Sequence, residues 1–359
     1  MTRFIVRRVF YGLLVLWGVA TVVFLLFNVL PGDPARMMMG QRADQAAIDA
    51  VRKELGLDQP LLYQYFHYLN DLSPLSVHQT DDITGSWFFK PEKYSNALKV
   101  ASTSSFVLVV KKPYLRQSYQ SKRQVSAVLA EAFPKTFVLA VASIAFAMVL
   151  GIVIGSIAAV VNHPYLNRSV LVITSLGMSL PSFFAAILMA WIFAWLLADY
   201  TGLSMFGSLY VVDDFGNGER LALKNLILPA LTLGIRPLAI VTELTRTSLL
   251  DVLSQDYIRT ATAKGLGRKA IVLKHALRNA LNPVITAVSG WFASLLAGAV
   301  FVEYVFDWKG VGVVIVDALE KYDLPVLMGS VLMIAVILII INIFVDIIYG
   351  VLDPRIRFA

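Results

Sequence analysis

The sequence predicts an all-α polytopic membrane protein: six transmembrane helices, a cytoplasmic helix-turn-helix loop and a small extracytoplasmic cap. Three observations predict it. Of 359 residues, 58% are hydrophobic and only 15% charged, against about 25% charged in soluble domains, and the mean hydropathy is +0.71. The apolar residues gather into runs long enough to cross a hydrocarbon core of roughly 30 Å. Lys and Arg cluster at alternate ends of those runs, as orientation in a membrane requires. This composition excludes an ordinary soluble globular protein. The net charge of +7 reads as membrane-orienting charge, and no nucleic-acid partner is expected. With no Cys in the chain, disulfides, thiolate metal sites and cysteine nucleophiles are ruled out.

The first run, Val9 to Leu30, carries no charged side chain and makes about 33 Å of helix. Arg3, Arg7 and Arg8 precede it and no small-residue cleavage site follows, so it reads as an uncleaved first helix stopped by Pro31-Gly32-Asp33-Pro34. Residues 31–135 form an insertion too long for a simple loop and are expected to fold as a cap. Within it, Asp44 is expected to N-cap a helix with Ala47, Ile48, Val51 and Leu55 on one face and Gly56 as its stop; Pro60 opens a second helix through Leu62, Phe66 and Leu69. The helical pattern weakens over an insertion at about 73–114, where Phe106 to Val110 resembles a buried strand more than a helix.

Five further runs follow: Thr136 to Val161, Val170 to Ala198, Leu226 to Leu249, Pro283 to Phe301 and Leu327 to Leu352. The basic residues before span one, Arg168 between spans two and three, the cluster between four and five, and Arg355 and Arg357 after six all fall on one side. The opposite short connections, Asp199 to Asn225 and Glu303 to Pro325, are acidic. Both termini are therefore expected to be cytoplasmic. The expected organisation is 1–30 for the cytoplasmic N-terminus and first helix, 31–135 for the cap, 136–352 for a five-helix core with its loop at 256–282, and 353–359 for the cytoplasmic C-terminus.

The loop from Asp256 to Pro283 reads as helix, turn, helix. Asp256 is expected as the N-cap, Gly265 as the left-handed end of the first helix and Pro283 as the boundary with the fifth span. Ala261 and Ala263 beside Gly265 permit close approach by another protein's backbone, and Arg259, Lys264, Arg268 and Lys269 make the tip positive. A short, small-surfaced helix of this kind suits docking into a groove. A basic amphipathic helix lying on anionic membrane lipid accounts for the composition equally well.

That stretch resembles the EAA loop of bacterial ABC importer permeases, with Ala261, Ala263, Gly265 and His275-Ala276-Leu277 in matching order. The resemblance is closest to the dipeptide, oligopeptide and nickel permease family and covers most of the chain apart from about Ser73 to Tyr114. Further matches stand at Leu30-Pro31-Gly32-Asp33-Pro34, Glu54 to Pro60, Asp256 to Ala261, Leu296 to Val300 with Glu303, and Tyr349 to Arg357. It implies a multi-pass permease subunit of an ATP-driven importer in the bacterial inner membrane. The implied partners are a second homologous permease subunit, two ABC ATPase subunits and an extracytoplasmic solute-binding protein. The implied ATPase-coupling residues are Asp256, Tyr257, Arg259, Thr260, Ala261, Ala263, Lys264 and Gly265. The implied solutes are dipeptides or oligopeptides, with nickel or other small solutes as the alternative. No G-x-x-x-x-G-K-[ST] phosphate loop occurs. The chain is thus expected to be no enzyme and to hold no cofactor, ATP and Mg being bound by the partner ATPases. An ion-driven secondary transporter is the rival reading, and it would favour repeat symmetry and buried acidic pairs.

Within span four, Arg236 interrupts the apolar sequence, and a charge facing lipid near mid-bilayer costs about 2.5–3.5 kcal/mol on insertion scales. It should face the bundle or water, either lining the path, where it could attract a peptide carboxylate, or pairing internally or snorkelling near a boundary. Glu243 and Arg246, spaced i, i+3, are expected to form a local ion pair. Pro181 in span three and Pro229 and Pro237 in span four remove backbone donors; Pro181 and Pro237 join Arg236 as candidates for pathway or gating. Gly151 and Gly155 form a small-x-x-x-small face for helix packing. The four His are scattered without metal-ligand spacing, and no metal site or catalytic constellation is expected.

Overall fold

The computed structural model describes residues 2–29, 35–36, 44–54, 56–80, 87–89, 93–94, 97–161, 163–212 and 218–352. The helices are α1 (Thr2–Val29), α2 (Gln45–Glu54), α3 (Leu61–Leu72), α4 (Val125–Val161), α5 (Pro164–Ser179), α6 (Ser182–Met189), α7 (Ala198–Thr201), α8 (Lys224–Leu253), α9 (Asp256–Ala263), α10 (Arg268–Ala270), α11 (Leu277–Gly298), α12 (Val300–Val305), α13 (Val311–Glu320) and α14 (Leu324–Leu352). Wide π-type turns over Ala190–Leu196 and Ile271–Ala276 extend α6 and join α10 to α11. The strands are β1 (Leu75–Gln79), β2 (Leu98–Ser102) and β3 (Phe106–Val110), then β4 (Tyr210–Val212) and β5 (Glu219–Leu221).

The strands correct the all-α expectation. β3 is central in an antiparallel sheet of order β1-β3-β2, and its alternation sends Val107 and Val109 inward onto Phe89 and Tyr94. This is the strand that the run Phe106 to Val110 predicts. The helix stop at 31–34 and the basic Arg355 and Arg357 lie outside the described residues.

Among the described residues, four helices are long and apolar enough to cross a membrane: Val6–Phe27, Val125–Val161, Lys224–Leu253 and Leu324–Ile347. The pair Pro164–Ser179 and Ser182–Leu196 makes a fifth if counted as one span, and it is bent by 110°. The predicted run Pro283 to Phe301 falls on α11 and the start of α12. The bend has a local cause. Pro181 has no N–H, and its ring pushes the preceding Leu180 into the extended region, φ −69 and ψ 126. α5 therefore stops, and α6 restarts with Pro181 as its cap residue.

The chain divides into two compact units, Thr2–Glu131 with Val314–Val336, and Ala132–Val313 with Ile337–Ala359. In the first, Phe24 of α1 packs on Tyr65 and Tyr68 of α3, and Met328 and Leu332 of α14 join the same cluster. Gly56 ends α2 at φ +68, with Leu57 N–H donating to Arg52 O at 2.9 Å, as the stop signal predicts. Asp71, at the end of α3, is 1% exposed. Its carboxylate accepts from Tyr94 Oη at 2.9 Å, Lys93 Nζ at 3.1 Å and Arg116 Nε at 3.4 Å, with His67 Nδ1 at 3.5 Å; its carbonyl accepts from Lys111 Nζ.

In the second unit α8 is central. Small residues of α4 let it approach: a Cβ on Gly155 would lie 2.5 Å from Thr242 O and one on Gly151 2.7 Å from Val241 Cγ1. This is the packing role expected of that face. Leu139, Leu228, Leu233 and Leu295 form the core with Phe306 and Trp308. A clasp built from α12 and the loop after it borders this core: buried Glu303 Oε2 accepts Gly312 N–H at 2.6 Å, Thr136 Oγ1 accepts Val311 N–H at 2.8 Å, and Trp308 Nε1 donates to Lys135 O at 3.0 Å.

Candidate functional site

Two features of the second unit carry chemistry. The first is the hairpin of α9 and α10. Gln255, extended at φ −72 and ψ 150, is the cap residue, so Asp256 opens the helix instead of N-capping it. Its carboxylate in the first turn still meets the positive end of the helix and accepts from Arg259 Nη1 at 3.3 Å. α9 closes in a Schellman turn: Gly265 N–H donates to Thr262 O at 2.9 Å and Leu266 N–H to Ala261 O at 3.3 Å. Gly265 sits at φ +79, where a Cβ is strained, so the left-handed end expected of it is formed. Pro283, expected as a boundary, lies inside α11; the missing N–H costs that helix a single bond, which a packed helix tolerates.

The hairpin is held by its own chain. Ile258 and Ala261 of α9 pack with Ile271, Ala276, Ala280, Leu249 and Ala159. Asn279 Nδ2 donates to Tyr257 Oη at 2.9 Å, and Arg268 Nη2 donates to Val160 O at 2.6 Å. Ala261 therefore faces inward, where its small size allows the two arms to close. The outward face consists of exposed Arg259, Thr260, Ala263, Lys264, Gly265, Arg268 and Lys269. Against these cations the Asp256–Arg259 pair is the ion pair on the face among the described residues. The arrangement is a rigid, positively charged knob with a small-residue tip.

The second feature is a cavity of about 130 Å³ where α5, α6, α8 and α11 meet, with Gly177, Ser182, Thr232, Arg236, Trp291 and Ser294 among its lining residues. The bend at Pro181 makes it. Breaking the helix there deprives Met178 O of the acceptor role it would have in a continuous span, and Arg236 Nε donates to it at 3.2 Å. Pro181 and Arg236 are thus brought together by one broken helix. Pro237 and Pro229 lie within α8, which runs through both. Glu243 and Arg246 do not pair as expected: Arg246 Nε donates to Asn167 Oδ1 at 3.3 Å, which draws its guanidinium away along α5. Of the lining residues, Ser182, Thr232, Trp291 and Ser294 are not singled out by the sequence reading. Their signal was the spacing, since Thr232 with Arg236, and Trp291 with Ser294, share a helix face at i, i+4 and i, i+3.

Comparison with known proteins places the chain in a family. Residues 151–358 match the family described as binding-protein-dependent transport system inner membrane component. Residues 1–79 match the N-terminal membrane-component region of the same type of system. The glutathione transport system permease protein GsiC of Escherichia coli (strain K12) is 34% identical over 358 residues, covering 100% of both chains. The protein of the same name from Pectobacterium atrosepticum is 35% identical with the same coverage, and that from Shigella flexneri serotype 5b is 34% identical.

Proposed function

We propose that this chain, which belongs to the family of binding-protein-dependent transport system inner-membrane components, that is, to the peptide and oligopeptide type of ABC importer permease, forms one half of an alternating-access path for short peptides. The family implies ATPase and solute-binding protein partners. Our reading adds a second homologous permease subunit, two ATPases docked on the outward face of α9 and the following turn, and six spans with both termini cytoplasmic. In it the third span is the bent α5–α6 pair and the fifth is carried by α11. Residues 31–135 face the extracytoplasmic side and meet the binding protein. Closure of the ATPases on ATP pushes on α9, and the contacts of Ile258 and Ala261 with Leu249 and Ile271 pass that displacement to α8 and α11.

The single observation that carries this reading is the hairpin: an exposed basic tip with a glycine turn, fixed from behind by a packed apolar face. A helix lying on lipid would place its apolar face outward, against the hydrocarbon, whereas Ile258 and Ala261 are buried within the chain. Glutathione is the solute named for the relatives, so a tripeptide bearing two carboxylates is the first solute to test. Reconstitution tests the reading: uptake into proteoliposomes should need ATP, the ATPases and the binding protein together. Uptake that proceeds without nucleotide and collapses with an ion gradient would contradict it.

A further inference from the structure

Resting on the permease reading, we propose that the cavity around Arg236 is a carboxylate subsite on the solute path. Arg236 is the thirteenth residue of the 30-residue α8, about 18 Å along it from Lys224, which places the guanidinium far from either helix end. Among the described residues it has one hydrogen bond, from Nε to Met178 O, and no carboxylate partner. The two terminal nitrogens, with four donors, remain for a ligand.

The walls favour an anion and exclude a cation. Among the described residues no Asp or Glu lines the cavity. Ser182 and Ser294 bring hydroxyls, which can donate to an anion. Leu180, Leu233 and Leu295 supply apolar wall, which lowers the local dielectric and strengthens the attraction of the guanidinium for a negative group. A planar guanidinium fork matches a carboxylate in two parallel hydrogen bonds. One cation balances one carboxylate; a phosphate dianion would call for a second cation, and Arg236 is the one cation among the described lining residues. Nε is held by the carbonyl that the Pro181 break sets free, so the fork is aimed by the broken helix itself. Movement of α5 against α8 would release it, which ties anion affinity to the conformation of the path.

The absence of Cys makes a direct test possible. Ser294→Cys places a single thiol on the cavity wall of the full-length chain in membrane vesicles without ATP. A sulfonate-bearing methanethiosulfonate should modify it about tenfold faster than an ammonium-bearing one, each rate taken relative to its rate with free cysteine. Arg236→Lys in that background should keep the preference and Arg236→Gln should remove it. Trialanine at millimolar concentration should slow the sulfonate reaction, while trialanine amide should not. The proposal is overturned by a preference that survives in Arg236→Gln, by a thiol that neither reagent reaches, or by acid and amide acting alike, including neither acting. These rates need no ATPase, so they can fail while the transport reading stands. Equally, ATP-driven uptake can fail while they hold.

Discussion

Asp71, buried at the end of α3, and Arg236, exposed beside a partly apolar cavity, are both charges, and the protein treats them in opposite ways. Burial alone would raise the pKa of Asp71, but Lys93, Arg116 and His67 outweigh it and hold the carboxyl below its usual range. Every oxygen of that carboxylate is met by a cation or a phenol. Arg236 has only a backbone carbonyl that a broken helix sets free. The difference separates two uses of charge. A group saturated by its own chain fixes architecture, whereas one left with open donors beside a cavity is held ready for something that arrives.

The largest effect expected is at the saturated site. Asp71→Ala strands Lys93 and Arg116 without a counter-charge and should destabilise the cap by about 3–5 kcal/mol, read as a lower thermal midpoint or faster proteolysis of the full chain in detergent. Arg236→Gln should change the same reading by less than about 0.5 kcal/mol. A reversal of that order would break the comparison. Gly155→Val comes next, because the Cβ meets the Thr242 carbonyl, a backbone atom that cannot swing aside; about 1–3 kcal/mol should be lost from the second unit, with the cap unaffected.

The cap should also show a pH response of known sign. Burial, with Lys111 nearby, pushes His78 down from 6.5 to about 4. Between those values the unfolded chain binds a proton that the folded cap refuses, so stability falls as pH drops from 6.5 to about 4 and levels off below, by about 1–3 kcal/mol in all. His78→Gln should flatten that slope. Smaller than the cap and packing effects, though above that of Arg236→Gln, is the cost of Gly265→Asp, about 1 kcal/mol from the left-handed backbone. It should leave membrane insertion intact yet weaken ATPase association about tenfold in a pull-down; equal recovery of the ATPase would count against the docking role.

What the sequence made legible was local. The apolar runs, the Gly56 and Gly265 helix ends, the strand at Phe106 to Val110 and the packing glycines of α4 each follow from a few neighbouring residues. The all-α class failed in the cap beyond the one strand expected there, because β1 and β2 lack a run like that of β3: β2 is exposed throughout and buries nothing, so only pairing with β3 makes it a strand. The Asp71 cluster was illegible for another reason. His67 is one helical turn away, but Lys93, Tyr94 and Arg116 stand 22 to 45 residues off, beyond any periodicity. At the candidate site, the turn and the basic tip could be read, but the inward face of Ala261 could not, because an alanine suits close approach from either side. The cavity required the 110° bend, of which Pro181 predicts the place but not the size.

The central claim, that the hairpin receives a separate motor, is tested most directly by thiol cross-linking in the assembled transporter. Lys264→Cys and Ala263→Cys, on the exposed face, should cross-link to the ATPase with a yield that changes on ATP binding. Ala261→Cys, turned into the chain, should not. The absence of any ATPase adduct from Lys264→Cys and Ala263→Cys, or modification of Lys264→Cys by an impermeant reagent applied from the extracytoplasmic side, would contradict the account.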